Sequence, residues 1–484
     1  MLVRVVSLWD DIMAQSSPDY THDIDEELAR LRGGSRGDVL RPEDEGYDEV
    51  RQVWNGMIDR RPAVIARPTG TADVVAAVEF ARATGLDVAV HGGGHNVAGN
   101  ATTDGGLMID LSGMNGVHVD PENRRVRAEG GATLGDVDHE TQLFGLATAL
   151  GAVSETGIAG LTLNGGYGHL SREYGLAADN LTSVEIVTAD GEVRVASEDR
   201  NGDLFWAVRG GGGNFGVVTS FEYELHEVGP EVYAFFPWFD ANDAGAVLDA
   251  FREWADDAPR NAGVLPFAGH VPALDPFPED SWGAPCLAML GSYRGDLDEA
   301  SDVFAPLRAA ATPIVDLSGP MPFEDLQRML DEDYPDGMRY YWKSVFLSEL
   351  TDEVVDVVLR YNESAPSALS TIDLWQLGGA VADVPRDATA FRHRDKPFMV
   401  NFEANWEDPA DDEANVNWAR EGFAEIEELQ VASGRYGNFP GLGEDPARLI
   451  YGENYDRLVD VKTKYDPGNL FHLNQNVVPR ADED

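Results

Sequence analysis

The stretch HGGGHNVAGN, residues 91–100, sets three bare glycines between two histidines, directly after the apolar run LDVAV. Successive backbone N–H groups without side chains can turn inward and cradle an anion such as a pyrophosphate. Taken singly, such a loop reads more readily as a tight turn between strands. The chain carries three of them, at 92–94, 157–168 and 210–216, each following or crossing an apolar segment of the first half. Three close backbone approaches point to one extended ligand wrapped by main chain, a dinucleotide. Gly211-x-Gly213-x-x-Gly216 formally matches the Rossmann fingerprint, which needs a helix after the loop. The alternating run VVTSFEYEL follows instead, so a Rossmann fold is rejected. GGSRG at 33–37 mimics a nucleophile elbow around Ser35 but lacks the buried strand before it, and is rejected too. There is no P-loop and no His-Glu-x-x-His. A single cysteine, Cys286, excludes an internal disulfide and any Cys-based zinc site. No metal is expected.

Elements must hold these loops in place. Pro62 and Pro68 bracket a short apolar strand, TADVVAAVEFARATG reads as a helix stopped by Gly85, and LDVAVH and GGLMIDLS read as strands. This is an α/β unit. A second unit, about 116–225, has RRVRAEGGATLGDVDHETQLFG as strand, turn and helix, and VEIVTADGEVRVAS as a hairpin around Asp190-Gly191. From about 228 the glycines thin out and aromatics gather in VYAFFPWF, YYWKSVFL, STIDLWQLGGAV and FMVNFEANW. These segments read as strands of one large antiparallel sheet, with DAGAVLDAFREWADDA and ANVNWAREGFAEIEEL as covering helices. An aromatic wall of this kind suits a flat organic substrate. The expected division is an acidic, mobile or loosely helical extension at 1–48, a ligand-binding domain at 49–227, a substrate domain at 228–435, and a C-terminal return at 436–484.

Composition narrows the partners. With 484 residues, 43% of them hydrophobic and 9% aromatic, the chain is long enough for two packed domains. Its net charge is −50, and only 4 of its 36 basic residues are lysine. A folded core in an acidic, lysine-poor shell points to a high-salt cytoplasm, where counter-ions screen self-repulsion. Nucleic acid is an improbable partner because phosphates are repelled. No apolar stretch approaches 18 residues, so no membrane partner is expected. The start, MLVRVVSLWDDIM, is too short and acidic for a signal peptide.

Three long segments carry a resemblance: VHGGGHNVAGNATTDGGLMIDLSGMN, GIAGLTLNGGYGHLSREYGLAADNLTSVEIVTADGEV and DLFWAVRGGGGNFGVVTSFEYEL. They resemble the FAD-binding domain of the vanillyl-alcohol-oxidase-type flavoproteins and, more closely, the berberine-bridge-enzyme-like oxidases. The ending YGENYDRLVDVKTKYDPGNLFHLNQNV is similar to that family's C-terminus. The resemblance spans about residues 50–484. It implies an α+β fold: a PCMH-type FAD-binding domain of two α/β subdomains, plus a substrate domain with a large antiparallel sheet covered by helices.

For the cofactor, the resemblance implies FAD, with His95 joined to the flavin 8α-methyl carbon. Gly92, Gly93, Gly94, Asn96 and Gly99 become the pyrophosphate and ribityl loop. Gly157, Gly160, Gly165, Gly166, Tyr167 and Gly168 line the cofactor. Asp179, Asn180, Gly216 and Val217 lie beside the isoalloxazine or adenine. Some of the family add a second bond from a cysteine; here Val153 holds that position, leaving a single link. His91 is given no catalytic role.

For the reaction, the resemblance implies hydride transfer from a C–H beside an alcohol or amine to the flavin, then reoxidation by dioxygen to hydrogen peroxide. A dehydrogenase using another acceptor, or a flavin-binding protein without catalysis, are the alternatives. In RYGNF, Tyr436 becomes the base and Asn438 its neighbour at the flavin; a phenol with an ordinary pKa near 10 needs help to act near neutrality. Asn474, Gln475 and Asn476 become flavin contacts. Tyr341, Lys343, Trp375, Gln376 and Glu403 are candidates for the substrate wall, although each aromatic taken singly reads as sheet core.

Overall fold

The computed structural model describes residues 21–444 and 446–481, with side chains from residue 24 onward. Helix α1 (Thr21–Gly34) leads into strand β1 (Val39–Leu40). Then come β2 (Val64–Ala66), α2 (Thr71–Thr84), β3 (Val88–His91) and β4 (Leu107–Asp110). β2 and β3 both run parallel to β4, and β1 adds antiparallel to β2, giving the order β1-β2-β4-β3. Gly85, in the left-handed region at φ +70°, ends α2 as expected.

The expected N-terminal extension is corrected here. Residues 1–20 lie outside the described residues, but from 21 the chain belongs to this first unit. Leu28 and Leu31, one helical turn apart, are buried in one core with Val74, Val78 and Phe80. Asp73 strengthens the join, accepting from the backbone N–H groups of Arg36 and Gly37 at 3.0 Å and 3.1 Å. The GGSRG stretch is thus tied to the start of α2.

The second unit is a five-stranded antiparallel sheet. Its strands are β5 (Val117–Asp120), β6 (Arg125–Glu129), β7 (Leu181–Thr188), β8 (Val193–Ser197) and β9 (Gly216–Glu224), in the order β5-β6-β9-β7-β8. β7 and β8 form the expected hairpin. A strand follows Gly216, as the rejection of a Rossmann fold requires. Helices α3 (Leu134–Gln142) and α4 (Ile158–Leu163) pack into the same core.

The aromatic segments build a ten-stranded sheet. Its centre has β10 (Ala262–His270) between β11 (Pro285–Tyr293) and β13 (Thr371–Gln376); β14 (Phe398–Trp406) comes next, then β12 (Arg339–Leu347). All of these pairs are antiparallel. Alternation divides each strand between two faces. Val345, Leu347, Ile372, Leu374, Val400 and Phe402 pack against residues of the helices at 244–257, 352–363 and 412–427. The opposite face looks towards the glycine loops. The tail returns to the first half: Leu458, Val461 and Tyr465 of the helix Tyr455–Tyr465 share a core with Leu204 and Phe205.

Candidate active site

A large cleft separates the glycine loops from the open face of the large sheet. Gly92, Gly93, Gly94, His95 and Asn96 line it, with Gly157, Gly160, Tyr167 and Gly216 from the neighbouring crossings. From the far half come Trp375 and Glu403, and from the tail Tyr436, Asn438, Asn474 and Gln475.

The loop glycines have a steric reason. A Cβ on Gly93 would lie 2.6 Å from the Gly157 Cα, and one on Gly157 would lie 2.4 Å from the Gly93 nitrogen. Two backbones therefore touch at the cleft wall. Burial pushes the His95 imidazole down to about 4, so it is neutral at ordinary pH, and its Nε2 has no partner. His91 is likewise held below its usual value by burial and stays out of the cleft lining.

Several expected residues stand elsewhere. Gly99, at φ +71°, turns against Ile58; Gly165 and Gly166 approach Phe391 and Ala177; Gly168 approaches the backbone of Gly151. Asp179 is engaged by Arg394 at 2.6 Å and 2.8 Å, and Asn180 bonds the carbonyls of Tyr174 and Leu176 and the His226 ring. Val217 is in the core of the first unit, and Asn476 does not line the cleft. Tyr341 and Lys343 point to the helix side of the sheet, where both bond Glu444 and Lys343 lies over the Phe423 ring. Their neighbour Trp342 faces the cleft. In strand β12 the substrate wall is thus offset by one residue from the expected positions, because successive side chains alternate. Gln376 lines a smaller side chamber.

Residues not singled out in the sequence complete the site. Asp373 stands opposite Asn401 in the β13–β14 ladder, so Glu403 is its diagonal neighbour on the same face. The two carboxyls share a hydrogen bond. Burial pushes Asp373 up to about 7, and burial together with the Asp373 charge raises Glu403 well above the usual carboxylate range. Tyr334 Oη donates to Glu403 at 2.7 Å, Asn401 Nδ2 donates to it at 2.6 Å, and Thr371 Oγ1 donates to Asp373 at 2.9 Å. The signal was present in STIDLWQ, where Asp373 and Trp375 fall on one face. Trp54 was missed because nothing local marks it. It stacks on His95 and on Tyr340.

Tyr436 is 4% exposed. Burial pushes its phenol up to about 12, against the opposing pull of Asn438 Nδ2, at 2.9 Å, and the backbone N–H groups of Gly166 and Tyr167. Three donors thus converge on one oxygen and partly offset the burial, which still holds the group as the neutral phenol near neutrality.

Comparison with known proteins decides the family. Residues 62–197 match the model of an FAD-binding domain, and residues 435–478 match the berberine and berberine-like model. An FAD-linked oxidoreductase of Dictyostelium discoideum is 32% identical over 92% of this chain and 95% of its own length. The (R)-6-hydroxynicotine oxidase of Paenarthrobacter nicotinovorans is 34% identical, over 92% of this chain and 97% of its own. The chain belongs to the berberine-like FAD-linked oxidoreductases. Among solved structures of such oxidases, 6-hydroxy-D-nicotine oxidase from Arthrobacter nicotinovorans superposes with a TM-score of 0.81 at 32% identity, covering 92% of this chain and 98% of that one. Glucooligosaccharide oxidase from Acremonium strictum, described with a 6-S-cysteinyl, 8α-N1-histidyl FAD, gives 0.83 at 25% identity, covering 95% and 100%.

The residues of this berberine-like oxidoreductase fit FAD. Gly92, Gly93, Gly94 and Gly157 line the cleft without side chains, and the side-chain oxygens of Asn474 and Gln475, two cleft residues, are buried without partners. Both observations suit a long polar cofactor.

Proposed function

We propose that the protein is an FAD-dependent oxidase acting on a small molecule with a C–H bond beside an alcohol or amine, and that dioxygen is its acceptor. One observation carries the reading: the glycine cradle, Tyr436 and the Asp373–Glu403 pair all line the same cleft. FAD, when bound, supplies the hydride acceptor and delivers the electrons to dioxygen, giving hydrogen peroxide. His95, neutral and with a free Nε2, is the residue that would carry the 8α bond. Val153 also lines the cleft and offers no thiol for a second bond. Trp342, Trp375 and Phe439 supply flat apolar walls that orient an organic substrate and exclude water.

Tyr436, as the phenolate, takes the substrate proton and becomes the phenol, and Asn438 with the N–H groups of Gly166 and Tyr167 holds the phenolate before the transfer. A second reading is favoured by the proton affinity of the carboxyl pair, which lies near neutrality for Asp373: Asp373–Glu403 is then the acceptor. A cytoplasmic setting of high salt is supported by the charge of −50. Among the described residues, no helix is long and apolar enough to cross a membrane.

Anaerobic mixing with alcohols, sugars and cyclic amines tests the reading. Bleaching of the flavin, followed by peroxide when oxygen is admitted, supports an oxidase. Bleaching without peroxide indicates a dehydrogenase. Absence of bleaching across the panel indicates a flavin-binding protein. Acid-precipitated protein should stay yellow, and His95→Ala should release its flavin; a colourless wild-type pellet would overturn the histidyl bond alone.

A further inference from the structure

Beside the cleft lies a second, much smaller chamber. Tyr167 and Trp375 line both spaces, whereas His169, Arg172, Ser292 and Gln376 line only the chamber. Three polar atoms of this wall are buried without a partner: His169 Nε2, Trp375 Nε1 and Gln376 Nε2. The Gln376 amide has a fixed orientation, because its Oε1 accepts the Val264 N–H at 3.1 Å and leaves the NH₂ end free. An indole N–H can only donate. Two of the three are therefore obligate donors, and buried donors of native proteins rarely go unmet.

The charges around the chamber have the same sense. Arg172 is 7% exposed. Its Nε, Nη1 and Nη2 donate to the carbonyls of Ala262, Leu377 and Ala258 at 2.9, 2.6 and 3.2 Å, with no carboxylate among these partners. A buried cation without a counter-charge is costly. Behind Ser292, Arg294 donates to the Ser292 hydroxyl at 2.7 Å. Arg294 pairs with Glu173 at 2.8 Å, yet its Nη2 is buried without a partner. Among the described residues, no Asp or Glu lines the chamber. In a chain of net charge −50 the charged group of this otherwise largely apolar wall is the Arg172 guanidinium, beside the unmet N–H groups of Trp375 and Gln376.

We propose that the chamber is a subsite for a small monoanion of the carboxylate type, met by Trp375 Nε1, Gln376 Nε2 and His169, with Arg172 as counter-charge. The anion has two possible sources. One is a carboxylate arm of the substrate, reaching past Tyr167 and Trp375 from the cleft; only this source rests on the oxidase reading above. The other is a free ion such as formate.

The test uses the flavin-loaded enzyme, wild type and Gln376→Leu, with Trp375→Phe as a second variant that keeps a ring but removes the N–H. Sodium formate is titrated at constant ionic strength, with neutral formamide as control, and the melting temperature and flavin spectrum are followed. Saturable stabilisation of the wild type by formate and not by formamide is expected, with the apparent affinity weakened at least about tenfold in both variants. Hydroxy acids and amino acids are then compared with their amides in anaerobic bleaching. Faster bleaching by the acids, competed by formate, assigns the anion to the substrate. Formate binding without that preference assigns a free ion. No saturable response to formate and no preference for acids overturns the subsite. If nothing bleaches the flavin, the oxidase reading falls, while the formate titration still decides the chamber.

Discussion

Trp54 lies flat against His95, with ring centroids 4.1 Å apart and planes within 17° of parallel. It stacks as well on Tyr340, at 3.6 Å and 10°, and its indole N–H donates to the Tyr334 carbonyl at 2.8 Å. Next to it, Asn55 Nδ2 donates to the carbonyls of Val97 and Tyr340, at 2.7 Å and 2.9 Å. Residues 54–55 therefore join the histidine loop to the large sheet. Trp54→Ala should lower stability by on the order of 3–5 kcal/mol in urea unfolding. It should also reduce the flavin that survives a denaturing gel, because the His95 ring loses its flat support. Trp54→Phe should restore most of both. Full flavin attachment in the alanine variant would remove Trp54 from this role.

Tyr436→Phe keeps the ring and deletes only the oxygen on which three donors converge. The resting flavin spectrum should be unchanged, and anaerobic reduction should slow by about 10²–10⁴, the usual worth of a positioned base. Substrate affinity should change far less. A wild-type rate in this variant would transfer the proton to Asp373–Glu403, and Asp373→Asn would then carry the loss.

The raised carboxyls also set a pH dependence of stability. Asp373 and Asp138 are each pushed up to about 7 by burial, so the native state holds protons that the unfolded chain has released. Their contribution is complete below the ordinary carboxylate range and is lost as pH rises through about 7. Between pH 4 and 7 the melting temperature of the wild type should therefore fall relative to that of Asp138→Asn or Asp373→Asn, whose amides cannot titrate. Parallel curves for wild type and variants would show that these groups do not titrate in that window.

Low salt should be destabilising. With a net charge of −50, ellipticity and flavin should be lost below about 0.5 M salt, where the Debye length exceeds roughly 4 Å. A melting temperature that is flat from low to molar salt would count against a protein adapted to high salt.

Gly93→Ala should yield protein that fails to retain FAD, because the new Cβ would fall 2.6 Å from the Gly157 backbone. Gly245→Ala, in a helix with open space around the added carbon, should bind flavin normally. Absorbance at the flavin band after gel filtration distinguishes them.

Much of this molecule was legible in the sequence because its signals are local. The apolar runs around 64–66, 88–91 and 107–110 lie between turn residues, and the glycine loops declare close backbone contact. Two kinds of information were not local. Strand alternation says that Tyr341 and Trp342 face opposite ways but not which of them meets the ligand; the helices packed behind the sheet decide that. Trp54 and Tyr334 take part only because residues far apart in sequence meet. Asp179 and Asn180, in a segment shared with the family, turned out to hold the chain through Arg394 and His226.

The contact between Gly93 and Gly157 has a consequence for how such a protein can diversify. Each glycine is the other's wall, so neither can acquire a side chain in a single step, and a change at one cannot be rescued by shrinking the other. The two loops are locked as a pair. Positions on the open face of the sheet are under no such mutual veto: Trp342, Trp375 and Met399 sit on rigid strands and can be exchanged one at a time. New substrate preferences should therefore arise on the sheet, while the glycine crossings stay as they are.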